Sequence, residues 1–262
     1  MLSPGSTPSV GSFVALGDSF TEGVGDPYPD GSCRGWADRF AGQLATSAPG
    51  LRYANLAIRG KVLGQVMDEQ VPIAVSLAPD LVSIAAGGND LLRPKADPDA
   101  LAATFEQAVS SLREAGSQVL LFTGFDPGGF PLLRLIRGKA AAFNAQLRTI
   151  AAKYDCLHVD LWSMHVLADP REWCDDRLHL APDGHRRVAL RTSEVAGLPV
   201  TEDWREPLPA DPAGAPRWLR ARRQDVQWAR NYAAPWLKRR LRGISSGDGM
   251  GPKRPDLQPP ES

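Results

Sequence analysis

Ser12-Phe13-Val14-Ala15-Leu16-Gly17, followed at once by Asp18-Ser19-Phe20-Thr21-Glu22-Gly23, is the stretch from which the fold is read. An uncharged apolar run ending at a glycine corner fits a short buried strand. A strand apolar on both faces needs cover on both faces. That is the habit of a parallel sheet between helices, not of a half-exposed antiparallel one.

The same unit repeats outward from this point. Further strands are expected at 51–57, 80–86, 118–123 and 156–161, and helices at 36–45, 62–70, 98–115, 134–153 and 182–194. Asp97-Pro98 suits a helix start and Gly116 a helix end. The alternation predicts an α/β domain of three layers around a central five-stranded parallel sheet. Right-handed crossovers then gather the strand C-termini along one edge, where ligands normally bind.

Chemistry-bearing residues cluster at that edge. Ser19 stands at the corner after the first strand, where its hydroxyl can be exposed beside helix N–H groups; a helix cap is the plainer reading of the same serine. Gly60 follows the second strand and Gly87-Gly88-Asn89-Asp90 the third. Each can be a turn, or each can offer an N–H to a ligand. Asp176 precedes His179 by three residues just ahead of the last helix, a spacing that lets a carboxylate hold one imidazole nitrogen while the other takes a proton. Asp175 competes with Asp176, and the spacing favours Asp176. No G-x-S-x-G elbow and no G-x-x-x-x-G-K-[ST] loop occurs.

In this order, over roughly 12–196, the blocks Gly17-Asp18-Ser19, Gly60, Gly87-Gly88-Asn89-Asp90 and Asp176 to His179 resemble those of the SGNH hydrolase family, the GDSL-type esterases and lipases. The resemblance implies a flavodoxin-like fold and a serine hydrolase of carboxylic esters that works without metal or cofactor. It assigns Ser19 as nucleophile, His179 as base and Asp176 as its orienter, with Ser19, Gly60 and Asn89 as oxyanion donors. It implies a small-molecule ester substrate. Thioester hydrolysis or acyl transfer would use the same residues, and a non-catalytic binding module is the alternative of another class.

The whole chain sets the outer bounds. Its 262 residues, 43% of them hydrophobic, suffice for one such domain with an appendage and exclude a wholly disordered chain. Lys plus Arg equals Asp plus Glu at 30 each, so no nucleic-acid partner is expected. Cys33, Cys156 and Cys174 form no disulfide framework, and no signal-peptide pattern or spanning run occurs; both point to the cytoplasm. The organisation expected is a flexible 1–11, a hydrolase domain over 12–198, a proline-rich linker at 199–216, a basic Trp/Arg-rich helical extension at 217–242 and a disordered tail at 243–262. The extension reads as a strap packed on the domain or as a peripheral contact with anionic membrane; the oligomeric state is not written in the residues.

Overall fold

Ser12–Gly17 forms the expected strand, β1, with all six residues buried. The structure, a computed structural model, describes residues 10–130, 133–209 and 247–261. The extension expected at 217–242 and the start of the chain through residue 9 lie outside the described residues. After β1 come α1 (Ser19–Glu22), α2 (Gly35–Ser47), β2 (Arg52–Asn55), α3 (Leu63–Gln65), α4 (Val71–Leu77), β3 (Leu81–Ala85), α5 (Gly88–Leu91) and α6 (Pro98–Glu114). Then follow β4 (Gln118–Thr123), α7 (Arg137–Lys153), β5 (Leu157–Asp160), α8 (Pro182–Val195) and β6 (Arg254–Gln258). The helix expected at 62–70 runs on to Leu77 through a π turn at Val66–Gln70, because Pro72 falls in the first turn of α4, where its missing N–H costs nothing.

The sheet order is β5-β4-β3-β1-β2-β6, and β1 to β5 are parallel. Alternate residues of β1 serve the two covering layers, as the pleat requires. Phe13 and Ala15 pack with Trp36, Phe40 and Val188 of α2 and α8. Val14 and Leu16 pack with Phe105, Leu112 and Leu147 of α6 and α7. Ser19, Gly60 and Asn89 follow the C-termini of β1, β2 and β3, and so share one edge.

The C-terminal end corrects the expectation. The sheet has six strands, not five, and the sixth is antiparallel. Arg254–Gln258 falls inside the tail expected to be disordered, yet it pairs with β2, Tyr53 opposite Gln258 and Asn55 opposite Arg254. Gly, Pro and Ser content argued for disorder, but β2 otherwise ends the sheet with unpaired main-chain groups, and pairing satisfies them. Pro255 is tolerated because an edge strand need not donate every N–H. The expected linker is also packed where it is described. Trp204 is buried, and Arg187 donates to the carbonyl oxygens of Trp204 and Glu206. Among the described residues no helix is long and apolar enough to cross a membrane.

His185, at the start of α8, is fully buried and ties this layer to the loop behind Ser19. Its Nδ1 accepts from the Trp36 N–H (3.2 Å) and its Nε2–H donates to Val24 O (3.1 Å), which fixes a neutral tautomer. Burial pushes its pKa down to about 4 from the ordinary 6.5. Between those values the unfolded chain holds more protons than the folded one, so this contribution is complete above about pH 6.5 and is lost as the pH falls towards 4. It is worth of the order of 3 kcal/mol. Denaturant unfolding at several pH values should therefore show a shallower loss of stability from pH 6.5 to 4 in His185→Gln than in the unmutated protein. Equal slopes would show that His185 is not the acid-sensitive group.

Candidate active site

The corner after β1 is built by local hydrogen bonding. Asp18 caps α1, its Oδ1 accepting from the Phe20 N–H (3.1 Å). Its Oδ2 accepts from Asn89 Nδ2 (3.0 Å), which links the first block to the third. Burial raises the Asp18 pKa to about 6, against the opposing pull of the Phe20 N–H and of the nearby His179 charge. His179 is therefore an electrostatic neighbour of the residue before Ser19. The Ser19 hydroxyl makes no hydrogen bond to another described residue, His179 included, in this resting geometry. Bonds of this kind commonly tighten only when substrate is bound.

The histidine is held by a closed loop. Ala181 N–H donates to Glu172 O and Cys174 N–H to His179 O, while Arg177 takes a left-handed turn at φ 54°. Asp176 sits inside this loop, accepting on Oδ1 from the N–H groups of Leu178 (2.9 Å) and His179 (3.0 Å). Its Oδ2 lies 2.5 Å from His179 Nδ1. Burial opposes ionisation of Asp176, but the His179 ring and these two N–H groups outweigh it and hold the carboxyl below its usual range. Asp175 is exposed and makes no such contact; Asp176 is the carboxylate that touches the ring.

The second block completes the edge. Gly60 has φ 77°, a left-handed turn that a side chain resists, and its N–H meets no acceptor among the described residues. The N–H of Ser19 is likewise unpaired among them. Asn89 is less free. Its amide reaches both Asp18 Oδ2 and Lys61 O (3.0 Å each), so an incoming oxygen must share or displace one of these. Asp90, next to it, accepts from the Leu63 N–H (2.9 Å), and together the two side chains clamp the segment just after Gly60.

A pair that sequence reasoning passed over joins the first and second blocks. Glu22 is buried and accepts from the Arg59 N–H (2.6 Å) and from its guanidinium (2.9 and 2.5 Å). The available signal was an acid and an arginine inside blocks already singled out, Glu22 three residues after Ser19 and Arg59 beside Gly60. A cavity of about 390 Å³ opens between the loops after β4 and β5, lined by Phe125, Trp162, Met164 and Leu167 with Arg134 and Arg137 also on its wall. Ladder spacing puts those loops about 10–14 Å from the serine corner along the same edge. Phe125 and Phe130 pack on Trp173 (4.4 and 4.9 Å), which begins the histidine loop, and Phe125 also forms part of the cavity wall. Among the described residues no group of three or more His, Cys, Asp or Glu could hold a metal ion.

Comparison with known proteins identifies the family and the fold. Residues 15–187 match the GDSL-like Lipase/Acylhydrolase family. A lipase from Streptomyces rimosus is 40% identical over 81 residues, and the match spans 30% of that protein's length and 30% of this one. The fold is similar to that of Axe2, an acetylxylan esterase from Geobacillus stearothermophilus, with TM-score 0.61 and 22% identity over 76% of this chain and 99% of that one. It is also similar to TesA, with TM-score 0.60 and 22% identity over 70% and 97% of the two chains. On the family match, which spans most of the chain, the protein belongs to the GDSL-like lipase/acylhydrolase family of carboxylic ester hydrolases.

Proposed function

We propose that the protein hydrolyses a carboxylic ester through an acyl intermediate on Ser19, with His179 as general base and Asp176 as its orienter. The observation that carries this reading is the 2.5 Å contact of His179 Nδ1 with an Asp176 carboxylate that two backbone N–H groups hold in place. That contact leaves the Nε2 of a neutral imidazole as the acceptor for a proton, and it stabilises the imidazolium formed when the proton arrives. Ser19 Oγ attacks the ester carbonyl as its proton passes to His179. The negative charge moves to the carbonyl oxygen, where the N–H groups of Ser19 and Gly60 are open to it. The Asn89 N–H now on Asp18 is the third donor, exchanging one anionic acceptor for another. Collapse expels the alcohol with the proton from His179, and water repeats the sequence on the acyl-serine.

The cavity after β4 and β5 suits the part of the substrate remote from the scissile bond. Its wall sets Phe125, Trp162, Met164 and Leu167 beside the polar Asp126, Arg134, Arg137 and His165, which suits a substrate part of mixed polarity, and its distance from the corner calls for a substrate with comparable reach.

Ser19→Ala should abolish both ester turnover and fluorophosphonate labelling without altering the circular dichroism spectrum. His179→Ala should cost about as much, and the double variant little more, since groups that act as a unit do not lose activity additively. Labelling that survives in Ser19→Ala would remove Ser19 from the role.

The two neighbouring acids give a separate test. Asp176→Asn should lower kcat by about 10⁴-fold, because an amide at that position favours the wrong imidazole tautomer. Asp175→Asn should stay close to the unmutated enzyme. A reversed pattern in the kinetics would exchange their assignments.

A further inference from the structure

The family match ends at residue 187, yet the chain returns to the active-site edge well beyond it. β6 runs along β2, and β2 leads directly into the turn that carries Gly60. Lys253 Nζ donates to the carbonyl oxygens of Cys33 (2.9 Å) and Arg34 (2.7 Å) and pairs with Asp38 (2.8 Å). Arg254 Nε donates to Tyr53 O (3.0 Å). The segment is therefore fastened both to β2 and to the loop that enters α2.

Its first described residue meets the Gly60 turn. A Cβ on Gly247 would lie 2.2 Å from the carbonyl oxygen of Arg59 and 2.8 Å from Ile58 Cγ2, so the backbone of Gly247 is pressed on that carbonyl with no room for a side chain. The Arg59 C=O and the Gly60 N–H belong to one rigid peptide unit and point to opposite sides of it. Whatever fixes the carbonyl also aims the N–H. The turn has little of its own to do this. Its internal bond, Lys61 N–H to Ile58 O, is 3.3 Å, and its bond to the corner, Ile58 N–H to Gly17 O, is 3.4 Å. Glu22 holds the preceding peptide through the Arg59 N–H, and Asn89 holds Lys61 O. The Arg59–Gly60 peptide lies between these two holds, and Gly247 packs on it.

We propose that residues 247–258 are a positioning element of the reaction: by packing Gly247 on the Arg59 carbonyl, they lock the Gly60 N–H in the direction of the developing oxyanion. The proposal rests on the reading of Gly60 as an oxyanion donor. A donor contributes to rate only if it is already aimed when charge develops, and losing one costs about 10²–10³ in kcat. The strap acts through Gly60 and does not touch the substrate.

The test compares the full chain with a chain ending at residue 246 and with full-length Gly247→Val. Each is assayed on a p-nitrophenyl ester, with active sites counted by fluorophosphonate titration. Both variants should lose at least about 10-fold in kcat per titrated site, with KM changing less than about three-fold, because the oxyanion bond is made mainly in the transition state. A synthetic peptide of residues 247–262, added to the shortened chain, should restore kcat saturably by re-forming the antiparallel edge. A strap that only stabilises the fold would lower the melting temperature and the count of active sites while leaving kcat per site unchanged. That outcome, or a loss confined to KM, overturns the proposal. If the shortened chain does not fold, Gly247→Val decides by the same criteria. Full turnover in Ser19→Ala would instead overturn the reading of the site itself, whatever the strap variants do.

Discussion

The Glu22 carboxylate, buried beneath the serine corner and gripped by Arg59, is the constraint on which the rest of the active-site edge depends. One end of the pair belongs to α1, which begins with Ser19, and the other to the turn carrying Gly60. A carboxylate this buried needs a partner, because burial strips away the water that would otherwise solvate its charge. The spacing between Ser19 and Gly60 is thus set by an ion pair, not left to the flexibility of two loops. Asn89 and Asp90 tie the third block to the same turn, and Gly247 covers its outer side.

Asp18 and Asp176 show how two carboxylates on one edge are kept in different states. Asp18 is buried, and burial outweighs its hydrogen bonds to Phe20 and Asn89, so its pKa rises to about 6. Asp176 is also desolvated, but it receives the His179 ring and two N–H groups, and its pKa falls. Asp18 is the more deeply buried of the two, and Asp176 has the imidazole beside it as well as more donors. A carboxylate given enough of them stays charged and can stabilise an imidazolium; one given fewer sits close to protonation at mildly acidic pH. As the pH falls through about 6, protonation of Asp18 therefore weakens the hold on the Asn89 amide.

Much of this edge was legible in the residues. Buried parallel strands announce themselves by apolar runs on both faces, and β1 to β5 lie where those runs fall. The spacing from Asp176 to His179 found the carboxylate that touches the ring. What escaped notice was what depends on a distant partner. β6 has no strand-like composition, and its order comes from the open edge of β2 and from Asp38, which Lys253 reaches across more than two hundred residues of chain. Glu22 and Arg59 were visible as residues but not as a pair, since nothing local says that the two loops meet. Asn89 was expected as an oxyanion donor, and the hold of Asp18 and Lys61 O on its amide could not be read locally. The proline content at 199–216 suggested a linker, but its described part, through residue 209, is held to α8 through Arg187 and Trp204.

The central claim is that Ser19 attacks while prealigned N–H groups receive the charge, and a crystal structure of the enzyme inactivated by a small alkyl fluorophosphonate tests it most directly. The account predicts a covalent bond from phosphorus to Ser19 Oγ, with the phosphonyl oxygen within about 3.1 Å of the N–H groups of Ser19 and Gly60. It also predicts that the Asn89 amide has turned from Asp18 to that oxygen, while Gly247 stays seated on the Arg59 carbonyl. An adduct on another residue, or a phosphonyl oxygen turned to solvent away from Gly60, would contradict it.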